Sequence, residues 1–159
     1  MCLNSRLYRF LFSAAITLAA LTACSDKHSA VSEFRDIAPS GWVYGSDLIF
    51  TPSGLDSIKE RSLLLTVRHS NAYVYRNIWV EVTTRTLDHK RVDTLNIELA
   101  DVYGRWHGTG FGPSYQYELP VGQPMLIGDT SRIAVRHIMR VDTLRGVEQI
   151  GITITPPHI

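Results

Sequence analysis

The chain has 159 residues, 45% hydrophobic and 19% charged, with a formal charge of +1. That length suits one folding unit with a sizeable core. The near-zero charge excludes a nucleic-acid binder driven by phosphate contacts.

At the front, Arg6 and Arg9 precede an apolar run from Phe10 to Ala20. The run is too short for a comfortable membrane span, which takes about 20 apolar residues. Leu21-Thr22-Ala23-Cys24 follows. Small residues before a cleavage point mark a signal peptide, and a cysteine directly after them makes a bacterial lipobox. The plainer alternative is a secretory signal with an incidental cysteine. The lipobox reading makes residues 1–23 a lipoprotein signal peptide, 24–31 a lipid anchor and tether, and 32–159 the folded domain. Cys24 is then the lipidation site, and the N-terminal lipid holds the chain to a membrane. Of the two cysteines, Cys2 leaves with the signal and Cys24 is acylated. No thiol remains for a disulfide, a metal or a nucleophile. Loss of Arg6 and Arg9 shifts the formal charge from +1 to −1. Ser25, rather than aspartate, after the cysteine points to the outer membrane. A single acidic residue, Asp26, in the tether points to its periplasmic side.

From residue 31 onward the dominant period is two. Val31 to Ile37 and Ser46 to Phe50 are short candidates. Leu63, Leu65 and Val67 alternate with Leu64, Thr66 and Arg68; Ile78, Val80 and Val82 with Trp79, Glu81 and Thr83. Leu95-Ile97-Leu99, Tyr115-Tyr117-Leu119, Ile133-Val135-His137-Met139-Val141 and Ile150-Ile152-Ile154 repeat the pattern. Strict alternation predicts half-buried strands. Clusters rich in Gly, Pro, Ser and Asp separate them and supply turn geometry. The sum is an all-β chain: one antiparallel β-sandwich, immunoglobulin-like or jelly-roll-like, of seven or eight strands. Asp56 to Arg61 suits one helical turn, and no segment keeps a 3.6-residue period.

Chemistry is sparse. Gly108, Gly110 and Gly112 form a G-x-G-x-G array, but a phosphate cradle needs a helix after it. Here Tyr115-Gln116-Tyr117-Glu118 reads as strand, so the glycines serve a turn, with Trp106 packing over one end of the sandwich. His28, His69, His89, His107, His137 and His158 are scattered singly, without metal-ligand spacing. His69 and His137 lie on apolar faces, where a core histidine outweighs a ligand. No nucleophile elbow or phosphate loop is present, and no carboxylate pair stands out. No enzyme, metal or cofactor is expected. Trp42, Tyr44, Tyr73, Tyr75, Trp79, Trp106 and Phe111 fall in loops or outward phases. Trp42, Trp79 and Trp106 are therefore candidate contacts for a protein partner or a glycan. Arg132, Arg136 and Arg140 form a basic stripe, a solvated face or an anion or partner site.

These residues carry a resemblance. The lipobox, Ser62-Leu-Leu-Leu-Thr-Val-Arg-His69, Tyr75-Arg-Asn-Ile-Trp-Val-Glu-Val82, Gly104-Arg-Trp-His-Gly108 and Met139-Arg-Val-Asp-Thr-Leu-Arg-Gly-Val147 resemble the gliding-motility lipoprotein GldH family of the Bacteroidetes. The resemblance spans nearly the whole chain after the lipobox. It implies a lipid-anchored, non-catalytic component of a gliding-motility or linked protein-secretion or envelope-assembly machinery. Its partners would be other envelope proteins. A glycan-binding sandwich at the outer membrane is the alternative.

Overall fold

A computed structural model describes residues 30–55 and 57–157; Cys24, His28, His158 and the side chain of Phe111 lie outside this description. The expected all-β sandwich is present, built entirely from antiparallel pairs. Twelve strands occur among the described residues: β1 (Val31–Asp36), β2 (Trp42–Val43), β3 (Leu48–Phe50), β4 (Lys59–Ser70), β5 (Asn77–Arg85), β6 (Lys90–Glu98), β7 (Thr109–Phe111), β8 (Ser114–Pro120), β9 (Met125–Ile127), β10 (Arg132–His137), β11 (Thr143–Leu144) and β12 (Val147–Thr155). β2, β3, β7, β9 and β11 have two or three residues each. They account for the excess over the seven or eight strands that alternation alone indicates.

One sheet runs β1-β12-β4-β8-β7, with β9 also on β4; the second runs β3-β10-β5-β6. In the first, Leu63, Leu65 and Val67 lie directly across from Ile154, Ile152 and Ile150. In the second, Val80 and Val82 lie across from His137 and Val135. All of these are buried, so the two alternating faces form one core. Each such aliphatic side chain contributes about 1.5–3 kcal/mol on burial. The opposite phase of β5 shows the pattern plainly, with Trp79 and Arg85 exposed and Glu81 and Thr83 half-exposed.

Two sequence expectations fail locally. Asp56 lies outside the description, but Lys59 to Arg61 are strand rather than helix, paired to Ile127, Leu126 and Met125. The Arg61 guanidinium donates to the carbonyls of Ser57 and Ile127, which holds this segment extended. The run from Ile133 to Val141 leaves the sheet after His137. Met139 and Val141 still pack on the core, so the apolar alternation outlasts the strand.

The sandwich has two distinct ends. At the near end β1 begins. There Val31 pairs with Ile154, which pairs with Leu63, whose carbonyl accepts from Val121 N–H. Arg91 of β6 donates to the carbonyls of Val121 and Gln123 at 2.9 and 2.7 Å and to Asp93 at 2.7 Å. That bridge ties the near ends of the two sheets together. β6 is also an edge strand, and inward-pointing charges of this kind blunt edge-to-edge association. The far end gathers residues 37–47, the β4–β5 loop, the loop after β6 and residues 138–146.

Candidate functional site

At the far end, the last core-facing residue of β4, His69, is fully buried in a cage of rings. Trp106 stands 4.5 Å away between centroids, Tyr73 5.6 Å and Tyr115 5.8 Å, the last nearly parallel. His69 Nδ1 faces the Ser70 carbonyl at 3.2 Å, and Nε2 is buried without a partner. Burial pushes the imidazole pKa down, against smaller upward pulls from the Ser70 carbonyl and Glu148. The Tyr73 hydroxyl donates to the Asn77 carbonyl at 2.9 Å, and burial raises its pKa beyond the usual phenol range. Trp106 Nε1 donates to Asn71 at 3.2 Å, so the indole closes the sandwich while its polar edge is satisfied.

The loop that carries Trp106 is ordered by Asp101. Its Oδ1 accepts from the N–H groups of Tyr103 and Arg105, and its Oδ2 from Arg105 Nε at 2.8 Å. Those donors hold the carboxyl below its ordinary pKa, the Arg105 N–H first among them. Trp106 then bridges back to Ala100. The glycine array follows, but only Gly112 sits in the hairpin turn; Gly110 lies within β7 and Gly108 just before it, so the array is partly strand rather than only the turn that the sequence indicates. Gly108 has φ +83, and a Cβ there would lie 2.1 Å from the Gln116 carbonyl oxygen. Gly108 thus admits close backbone approach.

The same end holds a second buried ring pair, Trp42 and His137. His137 Nε2 lies 3.0 Å from the Trp42 carbonyl and so carries the proton as donor. Trp42 and Tyr44 pack edge-on against it at 5.2 and 5.7 Å. Burial again depresses the imidazole pKa most strongly. Trp42 is 2% exposed and donates its indole N–H to Ser46. It is a core residue, and the outward phase expected of it is overturned: β2 pairs with β11 and turns the ring inward. Tyr73 is likewise buried. Of the three candidate tryptophans, Trp79 is exposed and Trp106 only partly so.

The basic stripe is only partly a stripe. Arg132 and Arg136 share the outer face of β10, whereas Arg140 lies beyond the end of the strand. Arg136 is paired to Glu81 at 2.7 Å. Arg132 instead lies across from Arg85, which lies across from Lys90. Arg85 and Lys90 escape sequence reasoning because only the strand register brings them beside Arg132. Among the described residues, no group of three or more His, Cys, Asp and Glu side chains could hold a metal.

Exposed apolar side chains collect on the far-end loops: Val43, Tyr44, Val74, Val102 and Tyr103 are 56–83% exposed. Sequence reasoning singled out Tyr44 and Tyr75 but passed over Val43, Val74, Val102 and Tyr103, because a lone apolar side chain in a loop carries no periodic signal.

The fold and this surface define an antiparallel β-sandwich that presents loops to its surroundings. The chain belongs to the GldH lipoprotein family, whose model matches residues 29–154. It is 26% identical over 151 residues to a gliding motility lipoprotein GldH of Flavobacterium johnsoniae, covering 89% of this chain and 94% of the relative. It is 23% identical over 154 residues to a gliding motility lipoprotein GldH homolog of Christiangramia forsetii, covering 91% and 93%. Both names give a role in gliding motility and neither names a reaction.

Proposed function

We propose that this protein is a lipid-anchored, non-catalytic interaction component of a gliding-motility or linked secretion and envelope-assembly machinery. Cys24 carries the anchor, and the domain sits on the periplasmic side of the outer membrane. The observation that carries this reading is the far-end set of exposed apolar side chains, Val43, Tyr44, Val74, Val102 and Tyr103. Contiguous exposed apolar patches mark contact surfaces, and these five side chains share one end of the domain. They lie at the opposite end from the start of β1, so a chain held at Cys24 presents them away from its anchor. Membership in a family named for lipoproteins supports the anchor, and the relatives' names support the machinery.

The glycan-binding alternative is weaker. Sugar stacking needs open ring faces, and only Trp79 among the tryptophans is substantially exposed. Crosslinking from the far-end loops in native membranes, with Val102→Asp and Tyr103→Asp as variants, tests the proposed contact. Loss of a defined adduct while the protein stays folded and membrane-bound supports it. Unchanged adducts in both variants overturn it.

A further inference from the structure

The near end carries an arrangement that the far-end contact does not use. Arg132, Arg85 and Lys90 stand in one cross-strand row on the outer face of the four-stranded sheet. All three are exposed and line one shallow depression of about 410 Å³; Arg136, Glu81 and Asp47 complete its charged lining, which keeps cations in excess of carboxylates. Like charges directly opposite one another in a sheet are destabilising. Even so, among the described residues none of the three has an ion-pair partner. The neighbouring cation Arg136, by contrast, is neutralised by Glu81. The turn joining Arg85 to Lys90 is closed by a 2.9 Å bond from Thr86 N–H to the His89 carbonyl. It holds Leu87 71% exposed at its tip. Asp88, in the same turn, offsets one of the three positive charges.

The position of this row selects its ligand. Six residues separate Cys24 from Val31, and an extended chain reaches at most about 3.3–3.6 Å per residue step, or about 25 Å over the whole tether. A lipid on Cys24 therefore keeps the near end close to the bilayer surface. There an exposed leucine between cations matches an interface of phosphate headgroups over acyl chains.

We propose that the β5–β6 turn and the adjoining row form a membrane-docking surface. Arg85, Lys90 and Arg132 bind the phosphates of anionic lipid headgroups, and Leu87 enters the interface. The row restrains the tethered domain against the membrane and points the far-end loops away from it. The geometry rests on the anchor reading, and the experiment separates the two.

The full-length protein as its own cells process it, with an environment-sensitive fluorescent amino acid replacing Leu87, is mixed with two kinds of vesicle. One is pure phosphatidylcholine; the other is three parts phosphatidylcholine to one part phosphatidylglycerol. A matched probe replaces Tyr103 at the far end. The expected result is co-sedimentation with both vesicles. The probe at position 87 shifts to the blue only on the anionic ones, and the probe at 103 shifts on neither. The shift disappears in high salt, because exposed charges are screened. The Arg85→Glu, Arg132→Glu double variant lowers the docked fraction at least about tenfold, since each cation near an anionic surface contributes about a fivefold factor. Arg85→Lys with Arg132→Lys retains the shift. Co-sedimentation with both vesicles and no shift at position 87 overturns docking and leaves the anchor standing; an acidic protein partner for the row would give this result. Sedimentation with anionic vesicles alone supports docking and removes the anchor. Sedimentation with neither overturns both.

Discussion

The indole of Trp106 lies 4.5 Å from the imidazole of His69, ring centre to ring centre. One ring comes from the longest strand and the other from a glycine-rich loop, so the contact closes the far end of the sandwich over β4. Trp106→Ala is expected to destabilise the fold by about 2–3 kcal/mol. That is below the roughly 3–5 kcal/mol for a fully buried aromatic, because the ring is only partly covered. Trp106→Phe should recover most of the loss. Urea unfolding followed by circular dichroism measures both. A folded Trp106→Ala protein of unchanged midpoint would show that the ring does not hold the loop.

Both buried histidines have pKa values depressed by burial. The unfolded chain therefore binds more protons than the folded one below about pH 6.5, the ordinary histidine value. Stability is fully present above that value. It should fall as pH drops through 6.5 toward the lower folded-state pKa. Asp101, also depressed, adds a further loss below the ordinary carboxyl range. His137→Gln keeps a donor for the Trp42 carbonyl but does not titrate, so it should flatten the slope below pH 6.5. Denaturant midpoints across this range test the sign; stability rising on acidification would contradict it.

Two glycines with similar backbone angles should respond differently to alanine. Gly104 has φ +79 with open space around it, and Gly108 has φ +83 with the Gln116 carbonyl 2.1 Å from where a Cβ would sit. Gly104→Ala is expected to cost about 1–2 kcal/mol, the left-handed backbone penalty alone. Gly108→Ala carries that penalty plus a backbone collision and should disrupt the β7–β8 hairpin. Thermal unfolding of the two variants side by side measures the difference.

Removal of the Cys24 thiol addresses the proposed anchor. Cys24→Ala is expected to move the protein from the membrane fraction to the soluble fraction of broken cells. A protein that remains membrane-bound would contradict lipid anchoring through Cys24.

Much of the fold was legible because alternation on Leu63–Val67, Ile78–Val82 and Ile150–Ile154 reports burial directly, and those residues are the core. Alternation also showed that a strand, not a phosphate-holding helix, follows the glycine array, but it missed the short strand β7 that takes in Gly110. Trp42 was misread. A tryptophan after Ser40-Gly41 looks like a loop aromatic, and only the pairing of β2 with β11 turns it inward. The stripe ending at Arg140 was misread because alternation continues past His137 while the backbone leaves the sheet. The row of Arg85, Lys90 and Arg132 was hidden more deeply. Arg85 and Lys90 flank one hairpin turn, but their alignment with Arg132 depends on register across a strand 47 residues away in sequence.

The far-end contact surface is tested most directly by a photocrosslinking amino acid at Tyr103 in living cells, with Leu126 at the near end as reference. Both positions are exposed. The expected result is a discrete adduct with an envelope protein from position 103, absent from position 126 and lost on Val102→Asp. No adduct at 103, or the same adduct from both positions, would contradict the account.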